Sequence, residues 1–136
     1  MDTDSKIDLQ HPENTKLLHK EETHQILGCA FDVLNEIGHG FHEKVFENAL
    51  VVEFKLRGIP YEQQMRFPII YKGVLVAEFV PDLIAFGSVI VDAKVIEKIT
   101  DHERGRMNNY LKITKLRVGL TLNFKNPRLE WDRLVL

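Results

Sequence analysis

The segment Val89-Ile90-Val91-Asp92-Ala93-Lys94-Val95-Ile96 sets a carboxylate and an ammonium two residues apart within an apolar run. Successive side chains of a strand point to opposite faces. Val89, Val91, Ala93 and Val95 therefore share one face, and Ile90, Asp92, Lys94 and Ile96 the other. Charges there cost free energy unless they are paired or put to use. An Asp92–Lys94 ion pair at the sheet rim meets that condition, and so does a site that needs both groups. A second misfit is Pro81-Asp82, inside Phe79-Val80-Pro81-Asp82-Leu83-Ile84. Asp is a poor strand residue, and Pro marks a bulge or a strand start. A hairpin of 80–86 against 89–96, turning at Gly87-Ser88, brings Asp82 near Asp92. Adjacent carboxylates repel, and a bound cation relieves the repulsion. Mg²⁺, or Mn²⁺, suits two carboxylates completed by waters and a substrate phosphate.

Glu43 is a third acid. On a helix of about 3.6 residues per turn it falls on the side of Leu50 and Phe54, with Glu47 one turn on. A Glu in line with an apolar stripe faces the protein, although a Glu at a helix start also complements the helix dipole. Position alone does not decide between these two roles; with Glu43 included, the candidate catalytic set is Glu43, Asp82, Asp92 and Lys94, with the three acids as metal contacts. A cation held by them lowers the pKa of bound water and offsets charge on a phosphate. Lys94 orients that water or stabilises the transition state.

Several elements must position these residues. A helical period starts at Glu21, where Ile26, Leu27, Ala30, Phe31 and Leu34 form one stripe, with Thr23 or an acidic neighbour as its cap. Gly38-His39-Gly40 interrupts it. A second helix is expected from Phe41 to Leu56, ended by Gly58 and Pro60. Tyr61–Tyr71 is rich in β-formers, and Lys72-Gly73 reads as a hairpin turn. Val74–Phe86 is a long apolar run broken at Pro81-Asp82, and Val89–Ile96 is the next strand. Asp101–Thr114 returns to helix, with Met107, Tyr110 and Leu111 on one side. Leu116–Phe124 and Leu129–Leu136 are strands around a turn at Asn126-Pro127. The order is α-α-β-β-β-α-β-β, an α/β fold with a mixed sheet flanked by helices.

With 136 residues, 44% of them hydrophobic and 28% charged, the chain reads as one globular domain. Residues 1–20 read as a disordered acidic tail and 21–136 as the single domain. One cysteine excludes an internal disulfide framework and a Cys-based zinc finger, and it favours a cytoplasmic setting. No apolar run reaches the roughly 18 residues of a membrane span. The net charge of −2 hides an asymmetry: residues 1–65 hold 6 Lys/Arg and 12 Asp/Glu, residues 66–136 hold 12 and 8. A basic second half fits a polyanionic partner, and it equally fits an ordinary solvated surface.

Pro81-Asp82, nine residues, then Asp92-Ala93-Lys94 resembles the Pro-Asp…(Asp/Glu)-x-Lys signature of the restriction-endonuclease-like nucleases. Gly40-Phe41-His42-Glu43-Lys44-Val45-Phe46-Glu47-Asn48-Ala49-Leu50 is similar to the opening motif of the GxxExxY proteins. Tyr71-Lys72-Gly73, Asn109-Tyr110-Leu111-Lys112, Leu116-Arg117-Val118-Gly119-Leu120 and Asn123-Phe124 extend that likeness over about 23–136. The resemblance implies a restriction-endonuclease-like core and a metal-dependent nuclease. Its substrate would be nucleic acid, with DNA ahead of RNA, and a homodimer is admitted. Three positions depart from the pattern. Phe46 replaces the motif's Tyr, Asp92 stands where the family usually has Glu, and Arg106 stands where related nucleases carry the Gln of Gln-x-x-x-Tyr. Arg106 and Tyr110 share a helix face at i, i+4. Arg cannot accept a hydrogen bond as Gln can, but it can grip a phosphate or a carboxylate. Arg106, Tyr110 and Lys112 are the substrate-contacting candidates. A catalytically weak or inactive nuclease-fold module that binds nucleic acid or a protein is the alternative reading.

Other residues point less far. His39, His42 and Glu43 lack His-Glu-x-x-His spacing. Cys29 reads as a small core residue without a base partner, and Trp131 as core or rim. Gly38-His39-Gly40 lacks the Lys-Ser/Thr of a phosphate loop. Arg104, Asn108, Lys112 and Lys115 share an outward helix face that suits a phosphate backbone or plain solvent.

Overall fold

A computed structural model of the protein describes residues 18–136. The expected tail lies outside the described residues up to position 17. Leu18 already packs against the core, and Arg133 Nη2 donates to its carbonyl.

Helix α1 spans Lys20–Ile37 and α2 spans Glu43–Arg57. The start of α1 is earlier than the sequence signals indicate. His19 is its N-cap, and Thr23 lies buried within the helix, its hydroxyl without a hydrogen-bond partner among the described residues. For α2 the cap is His42, whose Nδ1 accepts from the Lys44 N–H at 3.3 Å. Gly58, at φ 70°, closes α2 in the left-handed conformation that glycine takes without steric cost.

Seven strands follow, two more than expected. They are β1 (Tyr61–Gln63), β2 (Phe67–Tyr71), β3 (Val74–Phe79), β4 (Leu83–Ala85), β5 (Val89–Lys94), β6 (Val118–Asn123) and β7 (Glu130–Val135). Helix α3 (Asp101–Thr114) links β5 to β6. Both extra strands come from breaks inside runs counted as one strand each, the second at the Pro81-Asp82 interruption already visible in the sequence. Gln64, at φ 58°, ends β1. Pro81, which has no N–H to donate, separates β3 from β4.

The main sheet has the order β1-β4-β5-β6-β7, with β5 and β6 parallel and the other neighbours antiparallel. β2 and β3 form a separate hairpin. The sheet is covered on both faces. Val89, Val91 and Ala93 of β5, with Val118, Leu120 and Leu122 of β6, join Ile26, Ala30, Phe46, Leu50 and Phe54 of the first two helices. Ile90 faces the other way, into a smaller core with Phe79, Met107 and Leu111. The period-two division therefore holds from Val89 to Lys94, where β5 ends two residues before the expected Ile96. Gly119 sets how near α3 lies: a Cβ there would fall 2.3 Å from Met107 Sδ. Thr100 and Glu103 form a capping box that starts α3, Glu103 Oε1 accepting from the Thr100 N–H at 2.8 Å. Among the described residues, no helix is long and apolar enough to cross a membrane.

Candidate functional site

The β4–β5 register pairs Leu83 with Val91, Ile84 with Ile90 and Ala85 with Val89. One step beyond the ladder, Asp82 meets Asp92. The Asp82 N–H donates to Asp92 Oδ1 at 3.4 Å, and Asp82 Oδ2 accepts from the Ala93 N–H at 2.9 Å. Pro81 makes this arrangement local. The ladder stops there, so the Ala93 amide on that side of β5 is taken by the Asp82 carboxylate instead of a strand carbonyl.

Both acids are sheltered, Asp92 being only 7% exposed. Burial, with the Asp92 charge beside it, pushes Asp82 up to about 7. Burial also raises Asp92, against the opposing pull of Lys94, the Asp82 N–H and Arg106. Asp92 and Lys94 line a recess of about 10 Å³ with Glu103, Arg106, Tyr110 and Thr121, room for one water-sized species. Arg106 Nε donates to Tyr110 Oη at 2.9 Å, and the Tyr110 ring stacks on Phe79 with centroids 3.7 Å apart. Lys112 is exposed farther along α3.

Glu43 reaches the end of β5 from the opposite side of the sheet. Its Oε2 accepts from the Val95 N–H at 3.3 Å, and it walls a groove of about 400 Å³ with Gly40, Phe41, His42 and Val95. Asn123 fixes the chain just beyond, accepting from the Ile96 N–H at 3.0 Å and donating to the Ile96 carbonyl at 2.9 Å.

Sequence reasoning passed over Glu47 apart from noting its place one turn beyond Glu43. It is 3% exposed and accepts from Lys44 Nζ at 2.9 Å, Gln63 Nε2 at 2.7 Å and Gln64 Nε2 at 2.8 Å. Burial pushes its pKa up, but these donors together hold it below the ordinary value. The signal was available, since Glu47 shares the helical stripe of Leu50 and Phe54.

The profile of the PD-(D/E)XK nuclease superfamily matches residues 20–134. This chain belongs to that superfamily. The match covers nearly all of the described structure, and the five-stranded mixed sheet flanked by helices agrees with a restriction-endonuclease-like fold. No match was found among curated proteins or among solved structures.

Within the PD-(D/E)XK chain the remaining candidates resolve into structural roles. Cys29 is fully buried and burial pushes its thiol up to about 11, which suits a core residue and not a nucleophile. His39 Nδ1 lies 3.0 Å from the Lys125 carbonyl, and His42 caps α2. Trp131 is a rim residue, edge-on to Phe31 with centroids 6.0 Å apart. Arg104 is engaged by Asp101 at 3.1 Å and Asp132 at 3.0 Å.

The donor set fits a hard divalent cation in its chemistry. Two sheltered acids meet there, the Asp82 N–H on Asp92 Oδ1, and burial raises the pKa of both. Among the described residues, no three or more His, Cys, Asp or Glu side chains form a ready-made metal cluster. The pair Asp82 and Asp92 is therefore the part of the expected set in direct contact, with Glu43 and Lys94 at the same end of β5.

Proposed function

We propose that this protein is a metal-dependent nuclease that hydrolyses phosphodiester bonds of nucleic acid, acting at Asp82, Asp92, Lys94 and Glu43. The observation that carries this reading is the Asp82–Asp92 contact at the end of β5, within a chain of the PD-(D/E)XK nuclease superfamily. Asp82 and Asp92 would hold Mg²⁺ or Mn²⁺, and Glu43 would complete the site directly or through a water. The cation, when bound, acidifies a water and offsets charge on the phosphate. The two carboxylates fix where that charge sits. Lys94, on the face of Asp92, orients the attacking water and stabilises negative charge as it gathers.

Arg106, Tyr110 and Lys112 extend the reading toward substrate. Arg106 stands beside the recess, and Lys112 continues the basic side chains of α3. DNA is the favoured substrate over RNA. The motif from Gly40 to Leu50 supports assignment to the GxxExxY group, and the lone buried thiol suits a cytoplasmic setting. The test is cleavage of duplex DNA, single-stranded DNA and RNA with Mg²⁺ or Mn²⁺ by wild type, Asp82→Ala and Lys94→Ala. Metal-dependent cleavage lost in both variants supports the assignment; wild-type-like cleavage by both removes it.

One observation favours a non-catalytic binding module. The guanidinium of Arg106 occupies the Tyr110 hydroxyl where a Gln would present an acceptor as well as a donor. Nucleic-acid binding without cleavage under any divalent ion would select that reading.

A further inference from the structure

The Asp82 backbone is fastened on two sides. On one, its N–H donates to Asp92 Oδ1 at 3.4 Å. On the other, its carbonyl accepts from the Gln64 N–H at 3.1 Å. That second bond extends the β1–β4 ladder, in which Gln63 pairs with Leu83, by one residue. Gln64 makes it from a left-handed backbone, φ 58°, a region that residues other than glycine enter at a cost. Something must hold Gln64 there. Its side-chain amide donates to Glu47 Oε2 at 2.8 Å, and the neighbouring Gln63 amide donates to the same oxygen at 2.7 Å. Glu47 is itself anchored, being buried on α2 and also accepting from Lys44 Nζ. A buried carboxylate with three donors is a rigid post.

We propose that Glu47 and Gln64 are positioning residues for Asp82. Glu47 pins the Gln64 side chain, the pinned Gln64 keeps its left-handed backbone, and its N–H then fixes the Asp82 carbonyl. The Asp82 carboxylate is thereby held against the Ala93 N–H and beside Asp92. The functional consequence rests on the reading that Asp82 and Asp92 hold a cation; the geometric claim does not.

Glycine enters the left-handed region freely and β-branched residues resist it. Gln64 is exposed, so changes there spare the core. The reporter is the Ala93 amide, which Asp82 Oδ2 accepts. Its hydrogen exchange and proton shift are read by NMR at fixed pH, in metal-free full-length protein. Gln64→Val is expected to raise Ala93 exchange at least tenfold and to move its shift, with the Ile90 and Val91 amides unchanged. Gln64→Gly is expected to retain the wild-type signature. Glu47→Ala should lose it, and the double variant Glu47→Ala/Gln64→Gly should regain most of it, a rescue that loss of core packing would not show. The proposal is overturned if Gln64→Val leaves Ala93 as in wild type, or if Gln64→Gly behaves as Gln64→Val does. Mn²⁺ titration of the same samples is a separate arm. Wild type that binds no Mn²⁺ while Ala93 responds as expected would remove the cation reading and leave the positioning claim standing.

Discussion

Asp82 and Asp92 face each other across the end of the β4–β5 hairpin, and the Asp82 N–H donates to Asp92 Oδ1 at 3.4 Å. The contact is electrostatically uneven. It satisfies one lone pair of Asp92, yet it brings a second carboxylate close to a sheltered charge. Burial raises both acids, and for Asp82 the neighbouring Asp92 charge adds to it.

Stability should depend on pH through Asp82. Its folded pKa of about 7 lies above its ordinary 3.8. Between those values the unfolded chain releases the proton that the folded chain keeps. Metal-free stability is then expected to fall as pH rises from about 4 to 7, and to level off above. Asp82→Asn should flatten that decline and, at pH 8 without metal, unfold at a higher temperature than wild type. Thermal melts across pH 4–9 check this.

A cation needs the ionised carboxylates, so protons compete with it. Apparent Mn²⁺ affinity is expected to weaken by up to about tenfold per pH unit below 7, through Asp82 alone. The rise in melting temperature given by saturating Mn²⁺ should accordingly be larger at pH 8 than at pH 6.

Lys94→Ala should separate binding from chemistry. The ammonium lies on the Asp92 face and is no ligand, so Mn²⁺ binding is expected to persist. Cleavage should fall by about 10²-fold or more, the scale on which a single charge-stabilising donor acts. Single-turnover kinetics at saturating metal measure the loss.

Arg106→Gln tests the position at which the chain departs from the Gln-x-x-x-Tyr pattern. If Arg106 contacts a phosphate, nucleic-acid affinity should drop for all sequences. The slope of log affinity against log salt should also shrink by about 1. An unchanged slope would assign Arg106 to its Tyr110 contact alone.

Phe46→Ala should cost about 3–5 kcal/mol of folding stability. Phe46 is fully buried and stacks on Phe124 with centroids 4.4 Å apart. Urea denaturation checks the value.

Much of the site was legible because its signals are local. Alternation along Val89–Ile96 separates Asp92 and Lys94 from the apolar face, and the Gly87-Ser88 turn fixes the hairpin that brings Asp82 alongside. The missed parts depend on breaks that periodicity cannot show. Gln64 ends β1 by adopting a left-handed backbone for which no glycine was present to signal it. Val74–Phe86 likewise splits into two strands of different sheets, and the two breaks together turn three expected strands into five. Glu47 stood in the apolar stripe of α2, but its donors Gln63 and Gln64 come from another element, and only folding brings them to it.

Calorimetric titration of Mn²⁺ into wild type, Asp82→Asn and Asp92→Asn at pH 7.5 bears most directly on the claim that these two carboxylates share a divalent ion. Saturable binding by wild type is expected, with at least a tenfold loss of affinity in each variant while both remain folded. Wild type that takes up no Mn²⁺ with or without nucleic acid, or variants that bind as wild type does, would contradict it.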